Sequence, residues 1–180
     1  MLNNFRLLLG TVVTTKNSLI KDTPVGKAID TVIDSESGKI EALWVSTNQG
    51  MRLLMVKDIL SWKQIEIQVS DENDLVKAEE LPKLQKILNK EVPILGASVY
   101  IESTHKRLGR VINFAFDTIS PKILSLQVRS GWWVFGSNRT IPRTKITKMT
   151  EKAIFINDQG IKITDKSNIP KTETKAPEPQ

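Results

Sequence analysis

The side chains of this 180-residue chain whose type and spacing could do chemistry are aromatic and cationic, and the chemistry they suit is recognition. Trp132, Trp133 and Phe135 lie between Gly131 and Gly136, with Arg129 before them and Arg139 and Arg143 after them. Aromatic residues and arginine are enriched at the hot spots of protein interfaces, and the same pairing can stack on single-stranded RNA. Other chemistries have less material. The chain has no cysteine and one histidine, His105, which excludes thiolate catalysis, Cys-ligated zinc and a His-rich metal site. No Lys-Ser/Thr pair follows the Gly131–Gly136 bracket, so it is not a phosphate-binding loop. Asp34 and Asp117 end corresponding strands, where a carboxylate ordinarily caps the turn backbone. We therefore expect no catalytic residue, no cofactor and no metal site.

The elements that must position these residues are written twice. Val25-Gly26-Lys27, Asp34, Gly38-Lys39-Ile40, Leu43 and Val45 are echoed by Leu108-Gly109-Arg110, Asp117, Lys122-Ile123, Leu126 and Val128, with Gly26/Gly109, Asp34/Asp117, Lys39/Lys122 and Val45/Val128 all 83 positions apart. A repeat of this kind fixes the architecture before any other feature does. The offset is still 83 at Thr47 and Ser130 but 87 at Ile59 and Ile146, so the second copy gained four residues in between. The gain falls in Gly131–Ser137, which holds Trp132, Trp133 and Phe135 and stands where the first copy has only Asn48-Gln49-Gly50. Gly26 and Gly109 precede a strand at equivalent places and are expected to permit a close backbone approach.

Both copies read as β structure. Alternation around Ile29, Thr31 and Ile33, a turn at Ser35–Gly38 and a return strand from Ile40 to Val45 recur as Ile112, Phe114 and Phe116, a turn at Thr118–Pro121 and Ile123 to Val128. Later strands are expected at 52–59 and 65–69, and at 139–146 and 153–156. Leu43/Leu126 and Val45/Val128 are apolar in both copies, so their face should point into the core. Trp44 lies on the opposite face, where its twin is Gln127. It is either a partner or inter-domain contact, or part of a second small core under the linker. In that linker Leu84, Ile87 and Leu88 have helical spacing, with Pro82 acceptable in the first turn.

Charge is unevenly shared. The net charge is +6, and residues 92–163 hold eleven Lys/Arg against four Asp/Glu. A basic domain suits an acidic protein surface, an anionic membrane or nucleic acid. The opening residues read as no secretory signal, and no apolar run reaches the roughly 20 residues needed to span a bilayer.

The pattern Leu9-Gly10-Thr11-Val12-Val13, Val25-Gly26-Lys27-Ala28-Ile29-Asp30, Asp34, Gly38-Lys39-Ile40, Val45, Ile59 and Ile65-Glu66-Ile67 resembles the PRC-barrel domain. The second copy resembles it too, through Leu95-Gly96-Ala97-Ser98-Val99, Leu108-Gly109-Arg110-Val111, Asp117, Lys122-Ile123, Ile141-Pro142 and Ile146. The resemblance implies two small, bent β-barrels and a non-enzymatic adaptor or assembly role. That family includes the cytoplasmic subunit of purple-bacterial photosynthetic reaction centres and the bacterial ribosome-maturation factor, and its tandem forms are frequent in cyanobacteria. The expected fold is thus mainly all-β: a first barrel over 1–70, a linker with a short helix over 71–91, a second barrel over 92–163, and a disordered tail over 164–180. The expected partner is a photosynthetic membrane complex at its cytoplasmic or stromal face, possible contact with the thylakoid membrane being peripheral, with a ribosomal protein second and nucleic acid last. Trp132, Trp133, Phe135, Arg129, Arg139, Arg143 and Trp44 are the expected partner-binding residues.

Overall fold

A computed structural model describes residues 2–16, 22–63, 65–89, 93–131, 137–150, 152–157 and 159. The chain opens with a short strand, β1 (Leu2–Asn4), and one helical turn, α1 (Phe5–Leu8). The first copy follows as β2 (Val12–Thr15), β3 (Thr23–Asp34), β4 (Lys39–Thr47), β5 (Gly50–Met55), β6 (Ile59–Trp62) and β7 (Glu66–Val69). The linker holds a two-residue strand, β8 (Leu75–Val76), and a helix, α2 (Pro82–Leu88). The second copy comprises β9 (Ser98–Ile101), β10 (Arg107–Asp117), β11 (Ile123–Ser130), β12 (Ser137–Pro142), β13 (Ile146–Met149) and β14 (Ala153–Ile156).

The duplication extends to topology. The first sheet runs β6-β7-β2-β3-β4-β5 and the second β13-β14-β9-β10-β11-β12, in each case with one parallel pair, β2 with β7 and β9 with β14. The long third and tenth strands carry register shifts at Ala28/Asp30 and Val111/Asn113, and such bulges bend a sheet toward closure. The chain is thus a mainly β protein of two tandem barrel-like domains. Each sheet gains one further strand: β8 pairs with β5, and β1 reaches across from the chain start to pair with β10 of the second copy.

The sequence runs at 52–59 and 139–146, expected as single strands, are each interrupted by a 3-10 turn, at Val56–Asp58 and Arg143–Lys145. The reason is topological. β5 and β6 lie on opposite sides of the first sheet, and the turn carries the chain between them.

Burial follows the pattern read from the repeats. Leu43, Val45, Leu126 and Val128 are all at 1% exposure or less, and they belong to one apolar cluster containing Phe5, Leu8, Ile40, Phe114 and Phe116. That cluster is continuous across both copies. Trp62 of the first copy lies 5.4 Å from Phe116 of the second, ring centre to ring centre, and Phe5 stacks on Phe114 at 4.7 Å. Two backbone hydrogen bonds join the copies at a seam, Ile40 N–H to the Pro121 carbonyl at 2.7 Å and Ile123 N–H to the Gly38 carbonyl at 3.0 Å. The two barrels therefore share one continuous apolar cluster.

A second, smaller cluster lies outside the first sheet. Val32, Ala42, Leu53 and Leu84 are buried there, with Trp44, Leu81, Ile87 and Leu88 packed against them. The amphipathic linker helix covers the face that Trp44 occupies, one of the two roles the sequence left open for it.

Candidate functional site

The structure distributes the expected binding residues over several places. Trp132, Trp133 and Phe135 lie outside the described residues. Arg129 sits on β11 between Arg110 of β10 and Asn138 of β12, and its Nε–H donates to Asn138 Oδ1 at 3.0 Å. Arg139 is the next residue on β12, opposite Val128. Arg143 is engaged at the seam: its Nη1–H donates to the Ile146 carbonyl at 3.1 Å, and its Nε lies 2.7 Å from where a Cβ on Gly38 would stand. It is not brought together with Arg129. Trp44 belongs to the first barrel, half-buried under α2.

Asp34 and Asp117, read as turn caps, behave as such, and His105 lies in a loop between strands. His105 is exposed, with φ of 56°, and its N–H donates to the Ile101 carbonyl at 2.8 Å. Asp117 accepts from Ile119 N–H at 3.1 Å. Asp34 accepts from the Ser37 hydroxyl at 2.5 Å and from the N–H groups of Glu36 and Ser37 at 3.1 and 3.3 Å. The Ser37 hydroxyl, helped by those amides against slight desolvation, holds the Asp34 carboxyl below its ordinary 3.8. A lowered value stabilises the fold above pH 3.8, and the contribution fades as pH falls through the folded value. Asp34→Asn should therefore melt slightly below the native chain at pH 6, and the difference should shrink in a melting series run down to pH 2.5.

Two surfaces stand out from this framework. The first is a crevice of about 360 Å³ where the barrels meet, lined by Asp30, Ile33, Trp44, Ile94, Leu95 and Phe114 among others. Asp30 and Trp44 are direct cross-strand partners, so their side chains share its wall. Desolvation there raises the pKa of Asp30, against the Thr31 N–H that its carboxylate accepts at 2.7 Å. Leu95 is 37% exposed at the same place.

The second surface is the outward face of the second sheet, which presents two transverse rows. Tyr100 stands between buried Val99 and Ile101, and Phe155 between buried Ile154 and Ile156, so both rings face outward. The parallel pairing of β9 and β14 sets them side by side, stacked at 6.0 Å with 29° between planes. Lys148 flanks Phe155 and Arg107 flanks Tyr100 in register. The neighbouring row runs Ser98, Arg110, Arg129, Asn138. Arg110 and Arg129 stand directly opposite, an arrangement that disfavours the free sheet.

The first copy supplies an internal comparison in the same registers. Its rows read Ser61, Gln68, Thr14, Pro24 and Val12, Lys27, Ser46, Met51. The same backbone thus folds without the aromatic pair and with one cation in place of four. Tyr100, Phe155, Arg107, Arg110 and Lys148 were not singled out from the sequence. Aligning every strand of the two copies, beyond the pair β4 and β11, would have exposed them.

No helix among the described residues is long and apolar enough to cross a membrane. No protein-family model matches the chain, and no curated protein matches it.

Proposed function

We propose that this chain is a non-enzymatic adaptor that holds a larger complex through protein–protein contacts, and that the crevice between its barrels is a principal point of attachment. The observation that carries this reading is Trp44. The repeat does not require it, since Gln127 occupies the equivalent place, and it stands beside Leu95 and Asp30 at a crevice that exists only because two barrels are joined. Pockets between domains are common binding places, and a partly exposed tryptophan is a typical anchor. The resemblance to tandem PRC-barrel proteins supports a photosynthetic membrane complex, at its cytoplasmic or stromal face, as the partner. A second reading, a ribosome-biogenesis factor, is favoured by the basic face of the second sheet. The Trp132–Phe135 segment, with its arginines, remains the sequence-based candidate for a further contact.

Affinity capture from the native cell tests this, using the full chain and its Trp44→Gln variant. The substitution installs the twin's own residue and should cost only about 1–2 kcal/mol of stability through lost burial. The native chain should recover photosynthetic subunits, and the variant should lose most of them. Recovery of ribosomal proteins instead would carry the second reading, equal recovery by the variant would move the contact away from the crevice, and recovery of neither set would remove the adaptor role.

A further inference from the structure

We propose that the outward face of the second sheet binds single-stranded RNA, with bases stacking on Tyr100 and Phe155 and phosphates held by Arg107, Lys148, Arg110 and Arg129. This goes beyond the adaptor reading and does not depend on the crevice. Three observations converge on it. The two rings stand half-buried side by side on the outward face, 6.0 Å apart with 29° between planes, and paired aromatics of this kind stack on bases. Cations stand at both ends of that platform and in the adjacent row, and no acidic residue occupies either row. Arg110 and Arg129 face each other across β10 and β11, a like-charge pair that an anion between them would relieve.

The comparison within the chain separates this face from ordinary surface polarity. Both sheets share one backbone and one set of registers, so solubility and folding impose the same demands on both. Only the second has acquired two rings and three additional cations, Arg107, Lys148 and Arg129; the fourth, Arg110, has Lys27 as its counterpart in the first copy. Rows two residues apart along β9 lie about 7 Å from each other, close to the reach from a stacked base to its phosphate. Ser98 and Asn138 flank the arginines and offer hydrogen-bonding groups to a ribose 2′-hydroxyl.

The test is fluorescence anisotropy of a labelled 12-nucleotide single-stranded RNA titrated with the full chain. Binding is expected with a dissociation constant between about 1 and 100 μM at physiological salt, and tighter at low salt. Four phosphate contacts should give a slope of about −3 for log K against log salt. Tyr100→Thr with Phe155→Gln installs the first copy's residues and should weaken binding about tenfold or more, with the slope unchanged. Arg110→Ala with Arg129→Ser should weaken binding and reduce the slope by about 1.4. Single-stranded DNA of the same sequence, and an RNA duplex, should both bind more weakly. Circular dichroism and melting of each variant establish that the fold is intact.

The proposal is overturned if RNA fails to bind at 100 μM protein, a concentration about the weak limit of non-specific binding, or if both double variants bind as the native chain does. Equal affinity for DNA overturns the assignment to RNA. Binding to vesicles of phosphatidylcholine and phosphatidylglycerol that both variants abolish, without RNA binding, would assign the face to a membrane instead.

Discussion

Phe116→Ala should unfold both barrels together, lowering stability by about 3–5 kcal/mol. Phe116 is fully buried on β10, yet its ring packs on Trp62 of the first copy as well as on Phe114 of its own. Truncation leaves a cavity that neither domain can close alone, because its walls come from both. For a chain of this length the loss corresponds to about 10 °C in melting temperature. Scanning calorimetry should show one transition, shifted as a unit, with calorimetric and van't Hoff enthalpies in agreement. Two transitions, one at its native temperature, would show the barrels to be energetically independent. By the same reasoning, fragments 1–80 and 90–165 should fold poorly apart and recover β structure on mixing, since the first carries β1, which belongs to the second sheet.

Gly109→Ala should be nearly as damaging, at about 3 kcal/mol, for a different reason. An added Cβ would stand 2.1 Å from the Arg129 carbonyl oxygen and 2.6 Å from its carbon, with φ at +154°. Those obstacles are backbone atoms of β11, so relief requires moving a strand that is paired on both sides. Gly96 is the control: its φ of +78° is also unfavourable for alanine, but nothing lies within 4 Å of the added atom. Gly96→Ala should cost only about 1–2 kcal/mol. Chemical denaturation of the two variants side by side measures the difference, and equal losses would mean that strain at φ, and not the approach of β11, governs the position. Because the contact is with the backbone of Arg129 itself, Gly109→Ala should also weaken the proposed RNA face.

What the sequence disclosed and what it hid divide along locality. The glycine pair Gly26 and Gly109 marked a close approach because both copies kept the residue in the same setting, and the inward face of Leu43 and Leu126 could be read from alternation alone. The linker helix was visible because Leu84, Ile87 and Leu88 recur at helical spacing within seven residues. Contacts made across long separations left no such trace. Asn113 is buried, and its amide donates to Asn4 at 3.0 Å and to Gln127 at 3.3 Å, but nothing in three scattered polar residues announces a cluster. Tyr100 and Phe155 become neighbours only through the parallel pairing of β9 and β14. The continuous core was hidden for the same reason: a repeat specifies each barrel and says nothing of what lies between them.

The seam has a consequence for how such a molecule could have arisen. Its two hydrogen bonds are the same bond written twice, since Ile40 corresponds to Ile123 and Gly38 to Pro121, and the bridge at its centre pairs Lys39 with its own counterpart Lys122. That reciprocity is the rule of an isologous homodimer interface, in which a patch meets itself across a two-fold axis. A chain carrying one copy could form the same contact with a second molecule of itself. In such a dimer every substitution would appear on both sides at once, so an aromatic, basic face could not be gained on one half while the other stayed neutral. Joining the halves through α2 releases that constraint, and the asymmetry between the two outer faces is what a covalent link permits and a homodimer forbids.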